Sequence, residues 1–159
     1  LGQGISESRT LGDIATASIV SVDESSTVHA TVNLMNQQGL TAVIVTAAGT
    51  PTGIFTERDL LKRVAAMDMD RQRTPVKHVM TAPLITTPRT ALVGDVLAEM
   101  SRRDIRNMPV HDASNHLVGL IAMPEILQYA QAFNIDEQVR RSWQEVALAL
   151  DTDDQYTPG

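Results

Sequence analysis

The chain passes from an apolar strand into a helix over the stretch Gly53-Ile54-Phe55-Thr56-Glu57-Arg58-Asp59-Leu60-Leu61. Thr56 stands at the N-cap position of this helix, and Glu57 and Asp59 fall in its first turn. A threonine hydroxyl there can accept a hydrogen bond from an unpaired N–H, and acidic side chains are favoured at the positive end of a helix. Because Thr-x-x-Asp also resembles the Ser/Thr-x-x-Glu capping box, the spacing alone favours a helix cap.

The same stretch carries the groups of a binding site. A helix N-terminus attracts anions, and Thr56, Arg58 and Asp59 supply a hydroxyl, a guanidinium and a carboxylate within four positions. Together these groups could hold a phosphate and a ribose. A cap and a binding site do not exclude one another, so both interpretations are carried forward.

The chain contains two copies of one unit. Segments of matching character recur 65 residues apart, until one extra loop residue makes the separation 66. The matching pairs are 13–15 with 78–80, 19–23 with 84–88, 34–35 with 99–100, 40–45 with 105–110, and 53–55 with 119–121. A single register held across a whole unit indicates an internal duplication.

Each copy is predicted to fold as β-α-β-β-α, because short apolar runs alternate with apolar residues at helical spacing. The elements predicted for the first copy are a strand at 19–22, a helix at 27–38 closed by Gly39, strands at 42–45 and 52–55, and a helix at 57–66. Those predicted for the second copy are a strand at 84–87, a helix at 92–103, strands at 107–111 and 116–121, and a helix at 123–133. The predicted fold class is therefore mixed α+β.

The repeats are flanked by segments of different character. The predicted boundaries are a flexible N-terminus at 1–9, units at 10–67 and 75–133, a solvated linker at 68–74, a C-terminal amphipathic helix at 134–150 and an acidic tail at 151–159. The C-terminal helix is predicted by an apolar stripe of Ile135, Val139, Trp143, Val146 and Leu150. Trp143 is either a core anchor for this helix or an anchor at an interface.

Composition excludes several classes of protein. The net charge of −6 argues against a nucleic-acid partner, since phosphate neutralisation needs a basic surface. Without cysteine there can be no disulfide, thiolate zinc site or cysteine nucleophile. No apolar run approaches the ~18 residues of a membrane span, and the first residues do not resemble a signal peptide. We therefore expect a soluble cytoplasmic protein without a membrane partner.

The titratable residues do not form a recognisable catalytic or metal centre. His29, His78, His111 and His116 are scattered, and only the last two flank one turn. A metal ion needs three or four ligands, which this pattern does not supply. A Gly-x-Ser-x-Gly nucleophile elbow is also lacking. The sequence therefore predicts neither a metal site nor an enzyme.

The duplicated unit resembles the CBS domain, named after cystathionine β-synthase, and two such units in tandem form a Bateman module. The resemblance covers about residues 10–133 and rests on Val79-Met80-Thr81, on the segment 105–110 and on the ending of the unit at 53–59. It implies two small sheets packed face to face about a pseudo-twofold axis, with two clefts. In the family these clefts commonly bind AMP, ADP, ATP, NAD or S-adenosylmethionine as regulatory ligands, and the module has no catalytic residues.

The resemblance also implies roles for residues of the first copy. Asp59 would accept hydrogen bonds from both ribose hydroxyls, and Thr56 and Arg58 would lie near the ribose and phosphate. A carboxylate is a suitable acceptor for two adjacent O–H donors. Thr41-Ala42-Val43 and Ser21-Val22 would wall the adenine with backbone groups and apolar contacts.

The second copy departs from this pattern. Ala122 and Pro124 take the places of the threonine and arginine, and Glu125 replaces the aspartate. The strand of this copy begins Arg106-Asn107-Met108-Pro109, in which the arginine suits a phosphate. We therefore predict two unequal sites, and Arg106 serves either the ligand at Asp59 or a second ligand.

Two functions compete. The first is a sensor that binds an adenosine-containing ligand, AMP-like in the simplest case, in the cleft between the units. It would signal by conformational or oligomeric change, as a homodimer or to a regulated protein partner. The second is a ligand-free interaction module that dimerises or docks through its C-terminal helix. The second copy keeps its strand and helix without the threonine, arginine and aspartate, and this contrast favours a binding role for those residues in the first copy.

Overall fold

The computed structural model describes residues 9–14 and 16–132, which fall into two compact units. Residues 19–85 make the first unit, and residues 9–18 together with 86–132 make the second. Each unit carries one three-stranded sheet, and the element order confirms the duplicated β-α-β-β-α pattern and the mixed α+β class. The predicted C-terminal helix with Trp143, the tail and most of the N-terminal segment 1–9 lie outside the described residues.

The first unit is built around a hairpin. Its elements are β1 (Ser21–Asp23), α1 (Val28–Gln38), β2 (Ala42–Ala47), β3 (Thr50–Thr56) and α2, which begins as Glu57–Asp59 and continues as a π-helix over Leu60–Ala65. Strand β1 pairs parallel with β2, and β2 pairs antiparallel with β3. Ala48 and Gly49, between β2 and β3, have φ of +51° and +81°. Two left-handed residues are typical of the tight turns that match the twist of a hairpin.

The helix after β3 is wider than the α-helix predicted for residues 57–66. The Ala66 N–H donates to the Leu61 carbonyl at 3.2 Å, and the Met69 N–H donates to the Val64 carbonyl at 3.2 Å. Both bonds reach five residues back, which is the spacing of a π-helix. Apolar periodicity indicates that a helix forms but does not determine its width, so the sequence could not show this difference.

The second unit repeats the first strand for strand. Its elements are β4 (Thr87–Pro88), α3 (Val93–Arg103), β5 (Asn107–His111), β6 (Leu117–Ala122) and α4 (Met123–Ala132). Strand β4 is parallel to β5, and β5 is antiparallel to β6. Strands β1 and β4 start later than residues 19 and 84, where the sequence places them. Both are first strands of short sheets, and their limits depend on where the neighbouring strand can pair with them, which is not encoded locally.

Capping chemistry explains the limits of the long helices. The Thr27 hydroxyl accepts a hydrogen bond from Ala30 N–H at 3.1 Å at the start of α1. Gly39 ends this helix at φ +64°, which confirms its prediction as a C-cap. Asp104, the counterpart of Gly39 in the second unit, ends α3 at φ +53°. Aspartate tolerates the left-handed conformation better than most residues, so the two helices end alike.

The segment that precedes each repeat packs on the sheet of the other repeat. Gly12 N–H donates to the Arg89 carbonyl at 2.9 Å, and Ala17 and Leu120 exchange two backbone hydrogen bonds of 3.1 Å. Conversely, Val76 and Val79 are buried in the core of the first unit. The compact units therefore differ from the sequence units at 10–67 and 75–133. A repeat reveals which segments are alike, and not which copy a segment packs against.

The two cores are largely aliphatic, in line with the low aromatic content, and Phe55 is an aromatic member of the first. The core cluster of the first unit comprises Val28, Met35, Val43, Val45, Phe55, Val64, Val76 and Val79. Their repeat counterparts in the second unit are buried as well, and are Val93, Met100, Met108, Val110, Ile121, Ala130, Leu11 and Ile14. Burial of each larger aliphatic side chain stabilises the fold by ~1.5–3 kcal/mol, so the same pattern stabilises both units.

Candidate functional site

Strand β3 ends at Thr56, which is also the N-cap residue of helix α2. Thr56 is the last residue of the strand, where it pairs with Ala42 of β2, and its φ of −123° is extended. The next residue, Glu57, donates its N–H to the Thr41 carbonyl at 3.1 Å. The strand pairing thus brings Thr41, Ala42 and Thr56 together, as the sequence predicts for one site.

Thr56 and Asp59 form a complete capping box. The Asp59 N–H donates to Thr56 Oγ1 at 3.3 Å, and the Thr56 N–H donates to Asp59 Oδ2 at 3.0 Å. The Thr56 hydroxyl also donates to Asp59 Oδ2 at 3.2 Å. The helix-cap interpretation is therefore confirmed. The capping box uses only Oδ2 of Asp59, and the other carboxylate oxygen, Oδ1, has different partners.

Asp59 is buried, with 5% of its surface exposed. Its Oδ1 accepts a hydrogen bond from the Thr81 hydroxyl at 2.9 Å and lies 3.7 Å from Arg63 Nε. The chain offers a comparison, because Thr10 N–H donates to Asp13 Oδ2 at 3.1 Å in the same Thr-x-x-Asp spacing, while Asp13 is exposed. A cap of this kind does not require burial, so the environment of Asp59 is a separate feature.

The other residues predicted for this site differ in the solvent exposure of their side chains. Ser21 is exposed and Val22 is partly buried in β1, and Thr41 is exposed just before the neighbouring strand β2. Val43 is 1% exposed and packs in the core cluster, so its side chain is taken up by folding and only its backbone is available. Arg58 is partly buried in the first turn of α2.

The second unit repeats this backbone with different side chains. Met123 N–H donates to the Arg106 carbonyl at 2.8 Å, which is the counterpart of the bond from Glu57 to Thr41. Asn107 pairs with Ala122, where the first unit has Ala42 and Thr56. Arg106 and Glu125 are exposed.

Met108 and Pro109 are buried in β5, with Met108 only 1% exposed. Met108 corresponds to Val43 of the first unit, so its side chain likewise belongs to the core. The second unit therefore keeps the frame of the first unit and offers Arg106, Asn107 and Glu125 as its polar groups at the corresponding positions.

Two residues that contact Asp59 are absent from the predicted site, Arg63 and Thr81. Arg63 lies one helical turn after Asp59, and this i,i+4 spacing is a readable signal for an ion pair. Its guanidinium also donates to the Met80 carbonyl at 2.5 Å. Thr81 belongs to the Val-Met-Thr motif that carries part of the family resemblance, but nothing local indicates that its hydroxyl reaches a residue 22 positions earlier.

Hydrogen bonding lowers the pKa of three carboxyls, those of Asp23, Glu99 and Asp112. The Ser25 hydroxyl and N–H lower the pKa of Asp23, which ends β1. Arg103 and Arg102 lower the pKa of Glu99 on α3. Backbone N–H groups of His116 and Ser114 lower the pKa of Asp112 in the turn after β5. These carboxylates support turns and a helix face, and are ionised at neutral pH.

The described residues supply neither a metal centre nor a membrane helix. Across 9–14 and 16–132, groups of three or more histidine, aspartate or glutamate side chains arranged to hold a metal ion are absent. Within the same residues, none of the helices combines the length and the hydrophobicity that crossing a bilayer requires.

Residues 11–66 and 76–132 match the model of the CBS domain family, which is more than half of the chain, so the chain belongs to the CBS domain family. CBS pairs are regulatory rather than catalytic modules. The chain is 31% identical over 114 residues to the CBS domain-containing protein YhcV of Bacillus subtilis, with 72% of this chain and 80% of that protein aligned. It is 27% identical over 141 residues to the protein MK0525 of Methanopyrus kandleri, covering 86% and 71% of the two chains.

Solved structures share the fold. The CBS domain protein TA0289 from Thermoplasma acidophilum superposes with a TM-score of 0.77 at 22% identity, over 91% of this chain and 77% of that chain. The CBS domain protein PAE2072 from Pyrobaculum aerophilum, solved in complex with AMP, superposes with a TM-score of 0.68 at 22% identity, over 78% and 99% of the two chains. The tandem CBS architecture implied by the resemblance is thereby confirmed.

Proposed function

We propose that this chain is a sensor module that binds an adenosine-containing ligand, with AMP as the simplest case, at Asp59. The observation that carries the proposal is the buried carboxylate of Asp59 at the junction of β3 and α2, 5% exposed and surrounded by hydroxyl and guanidinium groups. Its counterpart Glu125 is exposed. A capping role does not explain why Asp59 is buried, because Asp13 makes a similar capping contact and is exposed.

The chemistry of the junction suits a nucleotide. The Asp59 carboxylate accepts from the two adjacent hydroxyls of a ribose, and hydrogen bonds to a charged acceptor are the stronger kind. Arg58 supplies donors for a phosphate, and Thr56 positions the Asp59 carboxylate through its N–H and its hydroxyl. The exposed Ser21 and Thr41 and the partly buried Val22 offer positions on and beside the strands for the adenine. The AMP complex of PAE2072 supports the proposal, because it is an AMP-bound structure of the same fold.

The module passes on its binding state by a population shift. A ligand shifts an equilibrium only when it binds one arrangement better than another, and the ligand at Asp59 would act on the contacts of helix α2. The receiver is a second copy of this chain in a homodimer or a regulated protein partner.

Calorimetric titration of the full chain with AMP, ADP, ATP, NAD and S-adenosylmethionine tests this function. We expect saturable binding of at least one of them, and a loss of about 100-fold in affinity in Asp59→Asn, since hydrogen bonds to a charged group contribute ~1.5–3 kcal/mol each. The matched control is Asp13→Asn, which alters the exposed Thr-x-x-Asp pair and should bind like the wild type.

A deoxyribose ligand sharpens the test. The wild type should bind 2′-deoxy-AMP more weakly than AMP, because one ribose donor is missing, and Asp59→Asn should reduce the difference between the two ligands. Equal affinities of the wild-type protein for AMP and 2′-deoxy-AMP would refute the role of Asp59.

The ligand-free interaction module is the second candidate, and one observation favours it: the chain's own donors already satisfy both oxygens of Asp59. In that case none of the five ligands would bind, and Trp143→Ala would lower the mass measured by light scattering if the C-terminal segment joins two copies. Ligand binding with an unchanged mass would decide for the sensor.

A further inference from the structure

We infer that the Thr81 hydroxyl is an internal competitor for the ribose site, so that ligand binding at Asp59 requires this hydroxyl to turn away. The inference rests on the proposed function and adds a determinant of affinity to it. Two features support it: the donors that surround the Asp59 carboxylate, and the backbone contacts that hold Thr81 in place.

Three hydrogen bonds and one ion-pair contact surround the Asp59 carboxylate in this structure. A carboxylate offers about four lone-pair sites. Oδ2 accepts from the Thr56 N–H at 3.0 Å and the Thr56 hydroxyl at 3.2 Å. Oδ1 accepts from the Thr81 hydroxyl at 2.9 Å and faces Arg63 Nε at 3.7 Å. Two ribose hydroxyls therefore need one hydrogen-bonding donor to leave, and the Arg63 guanidinium to give up the remaining site.

The donors at Oδ1 are the ones that can leave. The Thr56 N–H is part of the capping box and holds the start of α2, so its loss would cost the cap. The Arg63 side chain is 49% exposed, so its guanidinium can be rehydrated when it leaves Asp59. The Thr81 hydroxyl needs only a rotation about the Cα–Cβ bond. Replacing a donor at Oδ1 by a ribose hydroxyl therefore costs less free energy than replacing a donor at Oδ2.

The backbone of Thr81 is held independently of its hydroxyl. Thr81 N–H donates to the Ile54 carbonyl at 2.8 Å, and Ile54 N–H donates to the Thr81 carbonyl at 2.9 Å. The segment lies so close to β3 that a Cβ on Gly53 would stand 2.9 Å from the Thr81 carbonyl oxygen. The side chain can therefore rotate while the main chain stays paired, which makes the hydroxyl a local switch.

The second unit supplies a matched control. Thr16 precedes Thr81 by the repeat separation of 65 residues and also lies against a strand glycine, Gly119, where its side chain is the nearest group. The unit has the exposed Glu125 in place of the aspartate. Replacing Thr16 changes the same kind of threonine without touching Asp59.

The test is calorimetric titration of AMP into full-length Thr81→Val, Thr81→Ser and Thr16→Val. Valine keeps the shape of threonine and removes the hydroxyl, so we expect Thr81→Val to bind AMP about tenfold more tightly than the wild type. Thr81→Ser keeps the hydroxyl and Thr16→Val leaves Asp59 unchanged, so both should bind like the wild type.

Equal or weaker binding by Thr81→Val, with wild-type AMP binding intact, would overturn the inference and leave the proposed function standing. If the wild type binds none of the adenosine ligands, the proposed function fails, and the inference fails with it. Threonine-methyl NMR adds a direct readout. The three-bond couplings of the Thr81 methyl should report a new χ1 rotamer at saturating AMP, whereas those of Thr16 should not change; an unchanged Thr81 rotamer in the bound state would also contradict the inference.

Discussion

The Thr81 hydroxyl donates to Asp59 Oδ1 across 2.9 Å, although 22 positions separate the two residues in the chain. This bond joins the start of helix α2 to the segment that leads into the second repeat, within one compact unit. It gives Asp59 a partner beyond its own capping box, and it ties the stability of the unit to the residue that we propose binds a ribose.

Asp59→Ala should destabilise the protein by ~2–3 kcal/mol. The substitution removes the N-terminal capping interaction, which contributes ~0.5–2 kcal/mol, and leaves the Thr81 hydroxyl without its acceptor in a partly buried place. Urea unfolding followed by circular dichroism measures the change. Asp13→Ala removes the exposed counterpart and should cost clearly less; equal losses would show that Asp59 is no more than a cap.

Gly53→Ala should destabilise the first unit by ~1–3 kcal/mol, which is the usual cost of overpacking. A Cβ there would meet Met80 Sδ at 2.6 Å and the Thr81 carbonyl oxygen at 2.9 Å. The methionine can move, but the carbonyl belongs to the backbone pair with Ile54 and cannot. Gly12→Ala is the control, because its nearest neighbours would lie at 3.5 and 3.6 Å, and thermal unfolding should distinguish the two variants.

Stability should fall as the pH is lowered below the ordinary carboxyl range, and Glu99 should contribute to the loss. Hydrogen bonds from Arg103 and Arg102 lower the pKa of Glu99 below its usual 4.5. A group with a lowered folded-state pKa stabilises the fold above its unfolded pKa, and this contribution disappears as the pH falls through the folded pKa. Glu99→Gln should therefore reduce the slope of the free energy of unfolding against pH in this range. An unchanged slope at low salt would contradict the prediction. High salt should weaken the effect in the wild type, since the two arginines are exposed and the Glu99 carboxyl is partly exposed.

One ligand should bind per chain with high affinity. The second unit presents Ala122 and the exposed Glu125 where the first has Thr56 and the buried Asp59. The stoichiometry from calorimetry should thus be one, and Glu125→Ala should leave the affinity unchanged. If Glu125→Ala weakens binding as much as Asp59→Asn does, the two sites are equivalent and the predicted asymmetry is wrong.

Arg106→Ala distinguishes the two roles that the sequence leaves open for this residue. If Arg106 contacts the phosphate of the ligand held by Asp59, the variant should bind AMP more weakly while its affinity for adenosine stays the same, because adenosine has no phosphate. If it serves a second ligand, the titration of AMP at Asp59 should be unaffected. Calorimetry with both ligands gives the answer.

Local physical chemistry explains why so much of the fold is predictable from the sequence. Apolar periodicity predicts α1 and α3 to within a residue at their starts, because the buried face of a helix repeats every 3.6 residues. Gly39 predicts the end of α1, since the left-handed conformation there suits glycine. The strands of the two hairpins follow from apolar runs bounded by turn residues. Each of these signals lies within a few positions of the structure that it specifies.

The sequence by itself determined the duplication, the β-α-β-β-α order of each copy and the Thr-x-x-Asp cap at Thr56 and Asp59. Each of these features depends on the spacing of residues along the chain. The tertiary structure alone decided that Val76 and Val79 complete the first core and that Thr81 reaches Asp59. Hydrophobic burial is non-directional, so an apolar segment can complete either of two similar cores, and a hydroxyl finds its acceptor only after the chain has folded back on itself.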